Sequence, residues 1–276
     1  KYRNAKLELF RMANRNKHGL QVGVVNADDP SAELFASAVA NPITYGVEKG
    51  DLRATQVKLT PAGSQYAAVI GDDEYLIHCH LPGSFNVSNS LATVAVGRAI
   101  GLTRQQIEQG IAALDGVEGR MTRIDEGQDF DMIVDFAHTP DSFEKLFKDL
   151  KPVVKGKLIV LFGSAGRRDE AKRAVQGKLA GEYADEVIVT EEDDRDIDGQ
   201  EILNQIAEGA EKAGKVRDKD LFLVHDRTEA IQFAINRASK GDTLLLLGKG
   251  HEKTIERADG EHEWDEIATA RKVLRS

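Results

Sequence analysis

The sequence predicts an α/β protein in two parts, the second a mainly parallel sheet covered by helices. Two observations predict it. From residue 133 onward, short β-rich apolar runs alternate with longer amphipathic ones, the rhythm of strand–helix–strand units. Between residues 50 and 80, apolar and polar positions alternate with the two-residue period of half-exposed strands.

The elements follow in order. Tyr2–Ala13 carries Leu7, Leu9 and Phe10 amid basic residues and reads as a helix. Val22–Asn26 is a short strand, followed by the turn-forming Ala27-Asp28-Asp29-Pro30. Val57 and Leu59, then Tyr66, Ala68 and Ile70, then Tyr75 and Ile77 mark an antiparallel meander. A helix is predicted over residues 89–100, stopped at Gly101, and Thr103-Arg-Gln-Gln106 forms a capping box for the next, ending near Leu114. Gly116 and Gly119 mark a hinge, so domains are expected at 1–117 and 118–276. Beyond it, strands are expected at 133–136, Leu158–Phe162, 186–190, 221–224 and Thr243–Leu247. Helices are expected near 142–150, Ala171–Tyr183, 200–213 and 228–239, with Glu266–Leu274 closing the domain. Strands that read as unbroken apolar runs are buried on both faces, which makes this domain Rossmann-like.

Composition narrows the function. A length of 276 residues suits two domains. The 37 Lys and Arg against 46 Asp and Glu give a net charge of −9, which argues against a nucleic-acid partner but leaves room for anionic small substrates on local arginine clusters. The single cysteine cannot form an internal disulfide, and no secretory leader opens the sequence. The longest apolar runs fall far short of the roughly 20 residues of a membrane span. A cytoplasmic, monomeric protein acting on small molecules is the expectation. The chain opens at Lys1, in what reads as the middle of a helix, as a fragment or processed product would.

Ligands of open parallel sheets bind at the carboxyl ends of the strands, and here all five ends carry polar residues that a bare fold does not need. They read Asp135-Phe-Ala-His138-Thr-Pro-Asp141; Gly163-Ser-Ala-Gly166-Arg167-Arg168-Asp169 with Lys172 and Arg173; Thr190-Glu191-Glu192-Asp193-Asp194-Arg195-Asp196; His225-Asp226-Arg227; and Gly248-Lys249-Gly250-His251-Glu252. Gly163 and Gly166 would serve a tight turn equally well, but the cations clustered at a helix start, where acidic residues are preferred, favour an anion site. Most carboxylates of residues 191–196 read as a solvated helix flank, with Arg195 the exception. His251 alone would be a core histidine; within Gly-Lys-Gly-His-Glu it reads as functional. Asp226 and Arg227 read as an N-cap and first turn, outside the site. His18, His78, His80 and His262 have no metal-ligand spacing.

The segments 134–141, 162–169 and 248–252 resemble MurE-type ligases in sequence and order, as do Gly83-Ser-Phe-Asn-Val-Ser-Asn89, Gly119-Arg-Met121 and Asn26-Ala-Asp-Asp-Pro30. The resemblance covers essentially the whole chain. It implies the C-terminal part of a central ATPase domain followed by a Rossmann-like amino-acid-binding domain. The implied activity is ATP-dependent ligation of a diamino acid to UDP-MurNAc-L-Ala-D-Glu in peptidoglycan biosynthesis, through an acyl phosphate, with Mg²⁺. By position, Asn86 and Asn89 correspond to asparagines near the adenine, and Arg120 and Asp135 to residues holding ATP phosphate and ribose. His138 and Lys6 are the candidate catalytic residues, Lys6 matching a lysine that the family carbamylates into a Mg²⁺ ligand. Arg168, Asp193, Arg195, Gly248 and Glu252 fall where the family binds the amino acid, the arginines on carboxylates and Glu252 with the Gly248 carbonyl on the distal ammonium.

Three departures qualify the match. No Gly-x-x-x-x-Gly-Lys-Ser/Thr phosphate loop occurs, so these residues alone are expected to turn over negligible ATP. Where diaminopimelate-adding members read Asp-Asn-Pro-Arg, this chain reads Glu192-Asp193-Asp194-Arg195. Asp193 favours an ammonium while Arg195 tilts the choice to meso-diaminopimelate, and L-lysine stays open. The usual Phe-Asp-Asp-Arg-Glu ending becomes Trp264-Asp-Glu-Ile. Two other readings compete: a folylpolyglutamate- or cyanophycin-synthetase-like amide ligase, and a non-catalytic binding module.

Overall fold

Two sheets organise the chain, one in each of two compact units, Lys1–Gly116 and Val117–Ser276, in a computed structural model that describes residues 2–60 and 62–276. In the first unit, β1 (Val22–Asn26), β2 (Asn41–Gly46), β3 (Leu52–Thr60), β4 (Gly63–Ile70) and β5 (Asp73–Cys79) lie side by side in chain order. β1, β2 and β3 pair in parallel, and β3, β4 and β5 form the antiparallel meander that the alternation predicts. The inward positions Leu52, Ala54, Tyr66, Ala68, Tyr75 and Ile77 pack against Val87, Leu91, Val94 and Ala95 of helix α3 (Ser84–Ala99) and against Ile107 and Ile111 of α4 (Arg104–Ala112). The Thr103–Gln106 capping box is present in both directions.

α3 begins five residues before the predicted start. Its first turns are Ser- and Asn-rich, a composition that reads as a loop, but those side chains bond back along the helix. Asn86 Nδ2 donates to the Pro82 carbonyl at 2.7 Å and Ser90 Oγ to the Asn86 carbonyl at 2.7 Å. β2 and the short α2 (Ala32–Ala36) carry too few apolar residues in period to be read beforehand. The opening helix α1 (Tyr2–Ala13) is as the sequence predicts.

The second unit is a six-stranded sheet in the order β10–β9–β8–β11–β7–β6, with β7 (Asp131–Asp135), β8 (Leu158–Phe162), β9 (Glu186–Val189), β10 (Leu221–Leu223) and β11 (Thr243–Leu247) all parallel. An antiparallel edge strand, β6 (Thr122–Ile124), was not visible in the sequence; three residues are too few for a periodic signal. Met132, Val134, Ile159, Leu161, Leu244 and Leu246 face α8 (Arg227–Arg237) and α9 (Glu266–Leu274). On the opposite face, Phe143 of α5 (Pro140–Leu150) meets the Phe162 ring at 4.9 Å, and α6 (Ala171–Tyr183) and α7 (Gly199–Lys212) continue the layer. Neighbouring β8 and β11 therefore send the chain to opposite faces, which opens a crevice at their carboxyl ends. A polar hairpin, β12 (Thr254–Arg257) and β13 (Gly260–Glu263), is inserted between β11 and α9. Among the described residues, no helix is long and apolar enough to cross a membrane.

Candidate active site

Parallel pairing sets the carboxyl ends of β7 to β11 on one edge of the second sheet, and their loops interlock there. Arg195, after β9, donates through Nη1 to the Gly166 carbonyl after β8 at 2.5 Å. Lys172, in the first turn of α6, donates to the His138 carbonyl after β7 at 2.9 Å. Lys249, after β11, donates to Asp193 Oδ1 at 2.9 Å, and its Nζ is also 2.7 Å from Glu252 Oε2. His225, after β10, meets Asp194 Oδ2 at 2.6 Å through Nε2. Asp135, His138, Arg168, Asp193, Arg195, Gly248 and Glu252 thus stand along one edge.

At the β7 end, Asp135 is buried and both its oxygens are engaged: Oδ2 accepts from the Met121 amide and Oδ1 from the Ala137 amide, each at 2.8 Å. It braces the turn that presents Arg120, where Met121 is held at φ +49°. Burial pushes its carboxyl above the ordinary range. The Arg120 guanidinium lies over the Phe136 ring, 4.6 Å from its centroid. The His138 and His251 rings flank Phe136 at 4.7 and 5.0 Å. His138 Nδ1 faces the Phe136 carbonyl at 2.9 Å, which makes Nδ1 the donor of that bond and fixes the ring's orientation. Thr139 caps α5 in a reciprocal box with Ser142, and Pro140 opens the helix, fixing the loop that carries His138.

The loop after β9 corrects an expectation. Residues 191–196 are not a solvated flank: Glu191, Glu192 and Asp194 are 1%, 7% and 5% exposed. Their partners are remote in sequence, which hid the burial. Arg257 on β12 grips Glu191 through Nη2 at 2.6 Å and Nε at 2.9 Å, and His225 takes Asp194. Glu192 packs beneath Gly248, where a Cβ would come within 2.6 Å of its Oε2 and where φ is +103°. That oxygen is buried without a hydrogen-bond partner, and burial drives the carboxyl upward. In the unfolded chain Glu192 ionises as an ordinary glutamate, near 4.5, while the folded state resists ionisation. Folding stability attributable to this group is therefore unaffected below about pH 4 and falls as pH rises past it. Glu192→Gln is expected to gain stability relative to the parent as pH rises from 4 to 7, with no gain at pH 4, measured by urea unfolding; a pH-independent difference would contradict this.

Gly163 and Gly166 are needed for close approach rather than for a left-handed turn. A Cβ on Gly166 would lie 2.1 Å from the Asp194 carbonyl, so only glycine lets the β8 and β9 loops meet. Arg168 is exposed and has no hydrogen-bond or ion-pair partner among the described residues. Arg173, by contrast, is 1% exposed and donates to Gln205 and the Ala165 carbonyl.

Sequence reasoning missed Arg227. Asp226 is the N-cap of α8 as expected, accepting from the Glu229 amide. Arg227 is fully buried, pairs side-on with Glu266 at 2.7 and 2.9 Å, and donates to the Leu247 and Glu191 carbonyls at 2.8 and 2.9 Å. It anchors the ends of β11 and β9 from below. No local signal distinguishes it from an ordinary first-turn arginine.

Lys6, Asn86 and Asn89 lie in the first unit. Asn86 is buried, and its Oδ1 accepts from Asn89 Nδ2 at 3.0 Å in the opening turns of α3. Lys6 is exposed on α1, its ammonium 5.4 Å from the centroid of the Tyr2 ring. Among the described residues, the one group of three His, Cys, Asp or Glu side chains close enough to share a metal ion is Glu191, Asp194 and His225, and its Glu191 is already held by Arg257.

The Mur ligase middle domain matches residues 1–97, and the Mur ligase glutamate ligase domain matches residues 119–250. The chain belongs to the Mur ligase family. Within it, a UDP-N-acetylmuramyl-tripeptide synthetase of Roseiflexus sp. is 41% identical, over 99% of this chain and 56% of that protein. A UDP-N-acetylmuramoyl-L-alanyl-D-glutamate–2,6-diaminopimelate ligase of Syntrophomonas wolfei is 36% identical, over 99% of this chain and 55% of that protein. A solved structure of a ligase of that second name superposes with a TM-score of 0.56 at 30% identity, covering 99% of this chain and 55% of the other. A Mycobacterium tuberculosis folylpolyglutamate synthase shares the fold, with a TM-score of 0.71 at 16% identity, over 89% of this chain and 56% of that one. The chain spans about half the length of the curated relatives it matches.

Proposed function

We propose that this chain is the part of a MurE-type ligase that binds the incoming amino acid and contributes to the ATP site. The ligase joins a diamino acid to UDP-MurNAc-L-Ala-D-Glu, in the cytoplasm, for peptidoglycan. The supporting observation is the edge at which Arg195, Asp193, Lys249 and Glu252 interlock a few residues from Arg120, Asp135 and His138, in a chain whose relatives carry tripeptide-synthetase names. In this reading residues 1–117 are the C-terminal portion of the ATP-binding domain and 118–276 the amino-acid-binding domain.

ATP phosphorylates the glutamyl carboxylate. ADP leaves, the incoming ammonium loses a proton and attacks the acyl carbon as the amine, a C–N bond forms, the C–O bond to phosphate breaks, and the two protons the nitrogen gives up pass by way of His138 to solvent. Such transfer depends on positioning and on charges aimed at the developing anion. Arg120, braced through Met121 by Asp135, supplies a cation to the phosphates. His138, held through Nδ1 at the Phe136 carbonyl, presents Nε2 to take a proton from the incoming nitrogen or to orient it. Asn86 and Asn89, at the start of α3, meet the adenine. Arg168 takes the α-carboxylate, and Glu252 with the Gly248 carbonyl takes the distal ammonium. Lys6, as its carbamate, would contribute an anionic oxygen to Mg²⁺, and no step here is routed through that metal.

The test is formation of ADP and UDP-MurNAc-tripeptide by the full gene product. Glu252→Ala is expected to raise KM for the amino acid at least tenfold while leaving KM for ATP within twofold. Product formation that is indifferent to the amino acid, or a Glu252→Ala enzyme with unchanged KM, would remove the basis for the reading.

A further inference from the structure

We infer that Glu256, on the β12–β13 hairpin, is a specificity-determining residue: by holding Arg195 it sets the amino-acid site for a diamino acid with one carboxylate, such as L-lysine, over meso-diaminopimelate. This rests on the ligase reading above and names the substrate class of the same site.

A distal carboxylate is best held by a guanidinium that offers it two parallel N–H groups. On Arg195 the edge formed by Nε and Nη2 is not open to such a carboxylate. Its Nε donates to Glu256 Oε2 at 2.7 Å, its Nη1 donates to the Gly166 carbonyl at 2.5 Å, and its Nη2 lies 3.9 Å from Asp193 Oδ2. Each of the three nitrogens faces a protein oxygen, and the Nε edge of the fork is taken by Glu256.

The position of Glu256 is built in. Its carbonyl accepts from the Arg195 amide at 2.9 Å and its amide donates to Asp193 Oδ1 at 3.0 Å, so its backbone clasps the loop on both sides. Arg195 sits at φ +57°, a left-handed conformation that the clasp holds.

Charge around the clasp points the same way. Two cations, Arg195 and Lys249, face three carboxylates, Asp193, Glu252 and Glu256. These three carboxylates exceed the two cations they pair with by one, which draws an ammonium; Arg168 offsets that excess and is left for one carboxylate only. Glu252 has one oxygen on Lys249, and the other takes no partner among the described residues; its side chain is 37% exposed, which leaves an acceptor for the distal ammonium. Arg168, exposed and unpaired, serves the single carboxylate of such an amino acid.

The experiment is calorimetric titration of this chain with L-lysine and with meso-diaminopimelate at one pH and salt concentration, repeated on Glu256→Gln and Glu256→Ala. L-Lysine is expected to bind at least tenfold more tightly than meso-diaminopimelate. Each variant is expected to narrow that ratio at least fivefold, chiefly by tightening meso-diaminopimelate. A merely structural role for Glu256 would weaken both amino acids alike and leave the ratio unchanged, which overturns the inference. Equal or tighter binding of meso-diaminopimelate by the unaltered protein also overturns it, and leaves the ligase reading standing. Failure of both amino acids to bind removes the amino-acid site itself. If a variant does not fold, the ratio in the unaltered protein decides.

Discussion

Arg227→Met is expected to destabilise the C-terminal unit by about 3–5 kcal/mol, the usual result of leaving one member of a buried ion pair unpartnered. Neither Arg227 nor Glu266 has exposed side-chain surface, and the guanidinium also satisfies two strand-end carbonyls. For a unit of this size that corresponds to a fall in Tm of roughly 10 °C. Trp264, the single tryptophan of the chain, donates to Glu266 Oε2 at 2.8 Å, so its fluorescence reports on the pair directly. The double variant Arg227→Met with Glu266→Gln is expected to recover part of the loss, because the stranded carboxylate is gone. A single-variant loss below about 1 kcal/mol would show that water reaches the pair.

Lys249→Met is the second large effect. Lys249 is 1% exposed and ties Asp193 to Glu252 across two loops. Its removal leaves two carboxylates facing each other without the cation that separates them. Asp193 is 17% and Glu252 37% exposed, so solvent softens the stability cost to about 1–3 kcal/mol. The functional loss is larger: amino-acid affinity is expected to fall at least tenfold, because Glu252 no longer has a fixed direction. Titration calorimetry beside urea unfolding separates the two effects. Affinity that falls only in step with stability would argue that Lys249 is a scaffold residue alone.

The legible parts of this fold are those with local causes. Leu158–Phe162 and Thr243–Leu247 are unbroken apolar runs, and they are strands buried along their whole length. Capping chemistry placed the start of α4, and amphipathic spacing gave α6 and α9 their full extents. Local signals failed where side chains answer to distant partners. Glu191 and Asp194 look like surface acids until Arg257 and His225 are brought to them from other elements. The hairpin β12–β13 has almost no apolar alternation, so its polar residues gave no strand signal, and Glu256 went unnoticed with it. The candidate residues Asp135, Asp193 and Arg195 were legible from motif and strand order. That Asp135 has both oxygens on backbone amides, and that Arg195 is already paired, was not.

The hairpin carrying Glu256 and Arg257 stands outside the main sheet. On the proposal above, substitutions on this hairpin retune the site while the strands beneath keep their packing, since the residue that holds Arg195 and the residues that build the core are separate pieces of chain.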